Sequence, residues 1–84
     1  MKTKSGYTCE VDPEVLNDME LVDAIADLEG NPLAISKICR KLLHKEDIAR
    51  LYDHVRTESG RVPMEAVTDE ITEILKDLGE EGKK

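Results

Sequence analysis

The sequence predicts a mainly α fold, a small bundle of four to five short helices preceded by an N-terminal β-hairpin. The chain has no Phe or Trp and only two Tyr, so its core must be built from aliphatic side chains, which suits closely packed helices. Along four segments after residue 12, apolar residues recur at spacings of three and four, the periodicity of one helix face. With 84 residues the chain forms one domain. We expect residues 1–79 to form it and residues 80–84 to be a flexible tail.

Residues 1–11 predict the hairpin. Ser5-Gly6 is a turn signal, and Tyr7, Cys9 and Val11 alternate with polar residues at a period of two. Because an isolated hairpin is barely stable in water, we expect the face formed by Tyr7, Cys9 and Val11 to pack on the helices.

Caps and prolines predict where the first helical segments begin. Asp12-Pro13 starts a brief turn that reaches about residue 16. Asn17 or Asp18 caps the next helix, which continues to about residue 28 and ends before Gly30.

Three further helices complete the predicted bundle. Asn31-Pro32 opens a helix over residues 31–43, and a second covers 44–56. The sequence leaves open whether these two stay separate or merge. After a loop at 57–63, the last helix begins near Pro63 and ends at about Leu78, where we expect Gly79 to stop it.

The sequence offers no arrangement of residues typical of catalysis, a metal or a cofactor. His44 and His54 are ten residues apart, and neither belongs to a Cys/His group with zinc spacing. No glycine-rich phosphate loop precedes a helix. We therefore expect a protein that is not an enzyme, with no catalytic residue, no metal and no cofactor.

We expect a cytoplasmic protein. The first residues contain no apolar segment of a signal peptide, and no apolar run approaches the roughly 20 residues that span a bilayer. Cys9 and Cys39 are then expected to be reduced, small apolar fillers.

Charge is unevenly distributed along this chain of net charge −7. Residues 10–29 contain eight acids and no base, whereas residues 37–61 contain seven bases and four acids. These segments are either ordinary solvated helix faces or partners that pair within the fold or between copies, so a homo-oligomer is one possibility.

Nucleic-acid binding is the weaker interpretation. Segments 31–43 and 44–56 suggest a helix-turn-helix regulatory protein, which we keep as the alternative function. Against it, a net charge of −7 repels the phosphate backbone, and the second helix dilutes its bases with acids.

Two surfaces are candidates for binding a protein partner. One is the loop flanked by Arg56 and Arg61, which suits an acidic partner. The other is an apolar face of the last helix, which is either a docking surface or simply core. This face comprises Val67, Ile71, Ile74, Leu75 and Leu78.

Three stretches carry a resemblance to a known family: residues 2–7 (KTKSGY), 16–24 (LNDMELVDA) and 56–63 (RTESGRVP). In these and in its overall order of features, the sequence resembles prophage tail assembly chaperones of long-tailed phages of Gram-positive bacteria. The resemblance implies a helical, non-enzymatic protein in the bacterial host cytoplasm. Such a protein would coat the tape-measure protein and recruit tail-tube subunits.

Overall fold

The structure, a computed structural model, describes residues 2–81, with side chains for residues 2–79. A 3₁₀ helix at Pro13–Asn17 is followed by four α-helices, namely α1 (Met19–Asp27), α2 (Ala34–Leu42), α3 (Lys45–Val55) and α4 (Met64–Glu81). They form a compact bundle of 40 × 27 × 20 Å. The prediction of a mainly α domain is confirmed.

The predicted N-terminal hairpin is wrong. Within residues 2–81 there is no strand, and Lys2 and Thr8 form a single antiparallel bridge. The turn between them is tight: Gly6, with φ 96°, donates its N–H to the carbonyl of Thr3 at 3.0 Å. The Tyr7 N–H then bonds the Thr3 hydroxyl at 3.2 Å instead of continuing a ladder. Tyr7 and Cys9 nevertheless pack into the core, as their alternation predicts.

Helices α1 and α2 form an antiparallel pair. The Asp18 carboxylate caps α1 by accepting the Glu20 N–H at 2.9 Å. The Lys41 ammonium, at the end of α2, lies 2.9 Å from the Glu20 carboxylate and 3.6 Å from that of Asp18. The end of α2 therefore lies beside the beginning of α1.

The helix predicted from residue 31 begins at Ala34 instead. The Asn31 side chain accepts the Leu33 N–H at 3.2 Å, which holds residues 31–33 in a turn. Helices α2 and α3 stay separate, because Leu43 (ψ 153°) and His44 (ψ 157°) are extended.

Gly79 does not end the last helix, contrary to the prediction. Helix α4 continues through residues 80 and 81, and the rest of the predicted tail, 82–84, lies outside the described residues. A glycine inside a helix costs only about 0.5–1 kcal/mol relative to alanine. The fully buried Leu78 beside it anchors this turn to the core.

The core is aliphatic and draws on the N-terminal segment, all four α-helices and Leu43. Its buried residues are Tyr7, Cys9, Leu21, Ala24, Ile35, Ile38, Cys39, Leu42, Leu43, Leu51, Val67, Ile71, Ile74 and Leu78. Helix α4 packs against the 3₁₀ helix, α2 and α3. Among the described residues, no helix is both long and apolar enough to cross a membrane.

The buried thiols and the buried phenol predict a loss of stability at alkaline pH. Burial raises the pKa of Cys39 from 9.0 to about 11 and that of Tyr7 from 10.0 to about 12. Because the unfolded chain ionises first, the stability from these neutral groups is complete below pH 9 and is lost as pH rises towards 12. Urea unfolding should show Cys39 contributing a loss on the order of 2 kcal/mol between about pH 8 and about pH 11.

The matched variant is Cys39→Ala, which lowers stability at every pH through its small cavity but lacks the thiol that titrates. Its free energy of unfolding should fall less steeply with pH than that of the wild type. Parallel pH profiles would contradict the prediction.

Candidate functional site

An apolar groove of about 330 Å³ opens to solvent where the beginnings of α2 and α4 meet α3. Seven of its eight lining side chains are apolar or aromatic, and the eighth is a serine. The lining consists of Leu33, Ile35, Ser36, Cys39, Tyr52, Val62, Met64 and Val67. Such a concave apolar surface favours binding of apolar side chains or a small apolar ligand.

Two large apolar side chains of the groove are turned towards solvent. Leu33 is 70% exposed and Met64 is 45% exposed. Deeper in the groove, Ile35, Cys39 and Val67 belong to the core. The groove is thus an apolar surface that leads from the core to solvent.

The loop between α3 and α4 builds one wall of the groove. Gly60, with φ 90°, donates its N–H to the Thr57 carbonyl at 2.9 Å, and the Thr57 N–H bonds the Arg61 carbonyl at 2.8 Å. Arg56 donates to the Gly60 carbonyl at 2.9 Å and to the Asp53 carboxylate at 3.2 Å. These bonds fix the loop so that Val62, which follows it, packs against the core.

Charged residues of both signs adjoin the groove in sequence. Arg61 precedes the lining residue Val62, whereas Lys37 and Arg40 line a separate surface cavity together with Lys41. The Arg40 guanidinium donates to the hydroxyl of the lining residue Ser36 at 2.8 Å, which holds its charge beside the groove. Two acids also adjoin lining residues, Asp53 after Tyr52 and Glu65 after Met64.

A second apolar patch lies at the opposite end of the α1–α2 pair. Met19 and Val22 on α1 are 67% and 42% exposed, among acidic residues. Since Met19 lies beside the end of α2 and Leu33 just precedes its beginning, about 12 Å of helix separates the two patches.

The predicted apolar surface of α4 is mostly core. Val67, Ile71, Ile74 and Leu78 are at most 5% exposed, and Leu75 is half-buried. Four of the five residues therefore belong to the core, which was one of the two interpretations of this face. Only Val67 of these four also lines the groove.

The two predicted loop arginines have different positions. Arg56 is engaged within the loop by its bonds to Gly60 and Asp53, whereas Arg61 is exposed next to the groove. Neither arginine lines the groove, and partner binding by the loop stays a prediction.

Sequence reasoning missed Leu33, Met64, Met19 and Val22. The available signal was position: Leu33 precedes the Ile35-Ile38-Leu42 stripe of α2, and Met19 and Val22 lie off the buried face of α1. Apolar residues that fall outside a helix's core stripe are the ones left exposed.

A polar cluster joins the N-terminal segment to α3 and α4. Glu70, only 7% exposed, accepts hydrogen bonds from the hydroxyls of Thr3 at 2.7 Å and Ser5 at 2.8 Å. The Ser5 hydroxyl also lies 2.9 Å from Nε2 of His54. Sequence reasoning missed this group because its hydrogen bonds to α3 and α4 join residues 49 to 67 positions apart.

The cluster does not have the geometry of a serine nucleophile. Because the Ser5 proton is donated to Glu70, the bond to His54 requires Nε2 to carry a hydrogen and to donate it. A general base must instead accept the serine proton. The arrangement fits a structural clasp.

The fold is a small helical bundle with an exposed apolar groove. No family model, curated protein or solved structure matches this chain. Among the described residues, no group of three or more His, Cys, Asp or Glu side chains is arranged to hold a metal ion.

Proposed function

We propose that this chain is a non-enzymatic protein-binding module, and specifically a phage tail assembly chaperone that acts in the bacterial host cytoplasm. In that role it coats the tape-measure protein and recruits tail-tube subunits. The observation that carries the proposal is the pair of exposed apolar patches, at Leu33 and Met64 and at Met19 and Val22. The specific role comes from the sequence resemblance.

Two separate patches suit a protein that holds two partners at once. The patches lie at opposite ends of the α1–α2 pair, so a partner on one leaves the other accessible. Their surroundings also differ, since the groove adjoins both bases and acids, with Arg40 held at the lining residue Ser36, whereas the α1 patch lies among acids. This difference supports distinct partners, or self-association into a homo-oligomer through unlike surfaces.

Nucleic acid is not among the proposed partners. In the alternative function, a helix-turn-helix regulator, α3 would enter the DNA groove. Its Arg50 donates to Asp47 at 2.8 Å and to the Thr8 carbonyl at 2.9 Å, and Arg56 just beyond α3 is engaged by its loop. These bonds direct two of the three bases of this region to the protein itself, which favours the protein-binding function.

Co-expression with the tape-measure and tail-tube proteins of the same phage genome tests the proposal. We expect a soluble complex with each that co-purifies with the chain. Leu33→Glu and Met19→Glu should each weaken binding to one partner by tenfold or more, on the order of the 1–2 kcal/mol that an apolar contact supplies.

Each variant is the other's control, because both positions are exposed and neither substitution opens a cavity. Sedimentation of the chain alone reports self-association in the same samples. The proposal is wrong if neither phage protein binds the wild-type chain, or if the double variant binds both as tightly as the wild type.

A further inference from the structure

We infer that the outer face of α1 binds an amphipathic helix of a different protein, whose apolar side chains are bordered by lysine or arginine. This inference rests on the proposed protein-binding function and names the chemistry of the partner at the patch of Met19 and Val22.

Helix α1 leaves one face uncovered. It packs on α2 and on the 3₁₀ helix and buries Leu21 and Ala24. On the outer face, Met19, Val22 and Ala26 are exposed at spacings of three and four residues. These spacings place the three side chains in one apolar row, about 10 Å long.

A helix suits this row better than a strand does. Residues 2–81 contain no strand, so a partner strand has no sheet edge to join. Two helices, in contrast, pack through rows of side chains that recur every three or four residues. A partner helix with an apolar row of its own would therefore cover the outer face of α1.

Acids along one edge of the row select the charge of that partner. Asp23 and Asp27 are exposed and four residues apart on α1, in a stretch from residue 10 to residue 29 that contains no base. Among the described residues neither forms a salt bridge, whereas Glu20 at the beginning of the helix is paired with Lys41 at 2.9 Å. Basic side chains beside the partner's apolar row would meet these two carboxylates, and acidic ones would be repelled.

The bases of the neighbouring helix do not take this place. Lys37 and Arg40 line a cavity together with Lys41, and α1 contributes no side chain to its lining. The carboxylates of Asp23 and Asp27 therefore remain available to an incoming base.

The matching helix is not found among the described residues of this chain. Apart from the α1 patch, the large exposed apolar side chains described are Leu33, in the turn before α2, and Met64, which the acid Glu65 follows. Each is a single residue and not a row. Helix α2 exposes Lys37 and Arg40 but no large apolar side chain. A second copy thus lacks an apolar row bordered by bases, so the partner is a different protein.

The test uses fluorescein-labelled helical peptides of about 18 residues, long enough to hold helical structure. One has leucines at helical spacing and Lys at most other positions, and the second has the same lysines with alanine in place of leucine. Fluorescence anisotropy is measured at about 0.15 M salt, where charges more than about 8 Å apart are screened. Met19→Gln and the pair Asp23→Lys, Asp27→Lys should each weaken binding of the leucine peptide about tenfold or more.

Two matched variants control for general effects of polarity and charge. Leu33→Gln removes an equally exposed apolar side chain from the other patch. The pair Glu65→Lys, Asp69→Lys reverses two exposed acids at the same spacing on α4. Each should change the affinity by less than about threefold, because neither lies on the outer face of α1. The alanine peptide should bind at least tenfold more weakly than the leucine peptide.

Equal effects of the two charge-reversal pairs would overturn the inference, because binding would then reflect net charge alone. So would the absence of binding by the wild type, or unchanged affinity in Met19→Gln. A dimer in sedimentation that Met19→Gln dissociates would also overturn it, because the occupant would be a second copy. If any of these occurs while the phage proteins still co-purify with the chain, the proposed function stands without this inference.

Discussion

Replacing Ile74 by alanine is expected to lower the free energy of unfolding by about 3 kcal/mol. Ile74 is fully buried on α4, the helix that packs against the 3₁₀ helix, α2 and α3. Removing an isoleucine side chain from such a site loses its transfer free energy and leaves a cavity, a cost of about 2–5 kcal/mol. Small domains have roughly 5–15 kcal/mol of stability, so the loss should be evident as a lower urea midpoint.

The adjacent Leu75 provides the matched control. It is half-buried at the edge of the core, so Leu75→Ala should cost roughly 1 kcal/mol, as partial burial of a similar side chain implies. If Leu75→Ala destabilised the protein more than Ile74→Ala, the assignment of Ile74 to the face of α4 that contacts the core would be wrong.

The same pair of residues shows what periodicity can establish. The spacing of apolar residues correctly predicts that α4 is helical and which of its faces is apolar. It does not tell a core face from a docking face, because both require the same stripe. The difference arises from α2, α3 and the N-terminal segment, which cover α4 and leave Leu75 at the edge.

Local chemistry correctly predicted the beginnings of the 3₁₀ helix and α1 but misplaced the beginning of α2 and the end of α4. Asp12 and Asp18 cap their helices with the side-chain bonds that their residue types predict. Gly79 failed as a stop signal: α4 continues past it to Glu81, and a glycine inside a helix costs only about 0.5–1 kcal/mol relative to alanine. The hairpin failed because the Thr3 hydroxyl competes for the Tyr7 N–H.

The candidate site depends on contacts that the sequence does not reveal. The groove combines Leu33, Tyr52 and Met64 from three parts of the chain, and no local pattern indicates that they meet. The sequence singled out this loop because Arg56 and Arg61 flank a polar turn, and its role in binding stays a prediction. The apolar partner of that loop emerges only from tertiary packing.

Replacing Glu70 by alanine is expected to lower the free energy of unfolding by about 2–4 kcal/mol and to release the N-terminal segment. Its carboxylate accepts hydrogen bonds from Thr3 and Ser5, and bonds to a charged group contribute about 1.5–3 kcal/mol each. Thr3 is 4% exposed, so its hydroxyl would lose its acceptor in a place that water reaches poorly. Urea unfolding measures the loss, and amide hydrogen exchange of residues 3–9 reports the release of the segment.

Glu73→Ala is the comparison that separates this clasp from a general effect of removing a carboxylate from α4. Glu73 accepts one bond, from the exposed backbone N–H of Lys4 at 2.7 Å, and water can replace it. The loss of this bond should lower the free energy of unfolding by less than about 1 kcal/mol and leave amide hydrogen exchange at Tyr7 slow. In the core, the Tyr7 hydroxyl donates to the Asp47 carbonyl at 2.7 Å. Faster amide hydrogen exchange at Tyr7 in Glu70→Ala, but not in Glu73→Ala, would show that the buried carboxylate of Glu70 holds Tyr7 in this position. Equal effects of the two substitutions would contradict a special role for Glu70 and leave the apolar burial of Tyr7 and Cys9 as what holds the segment.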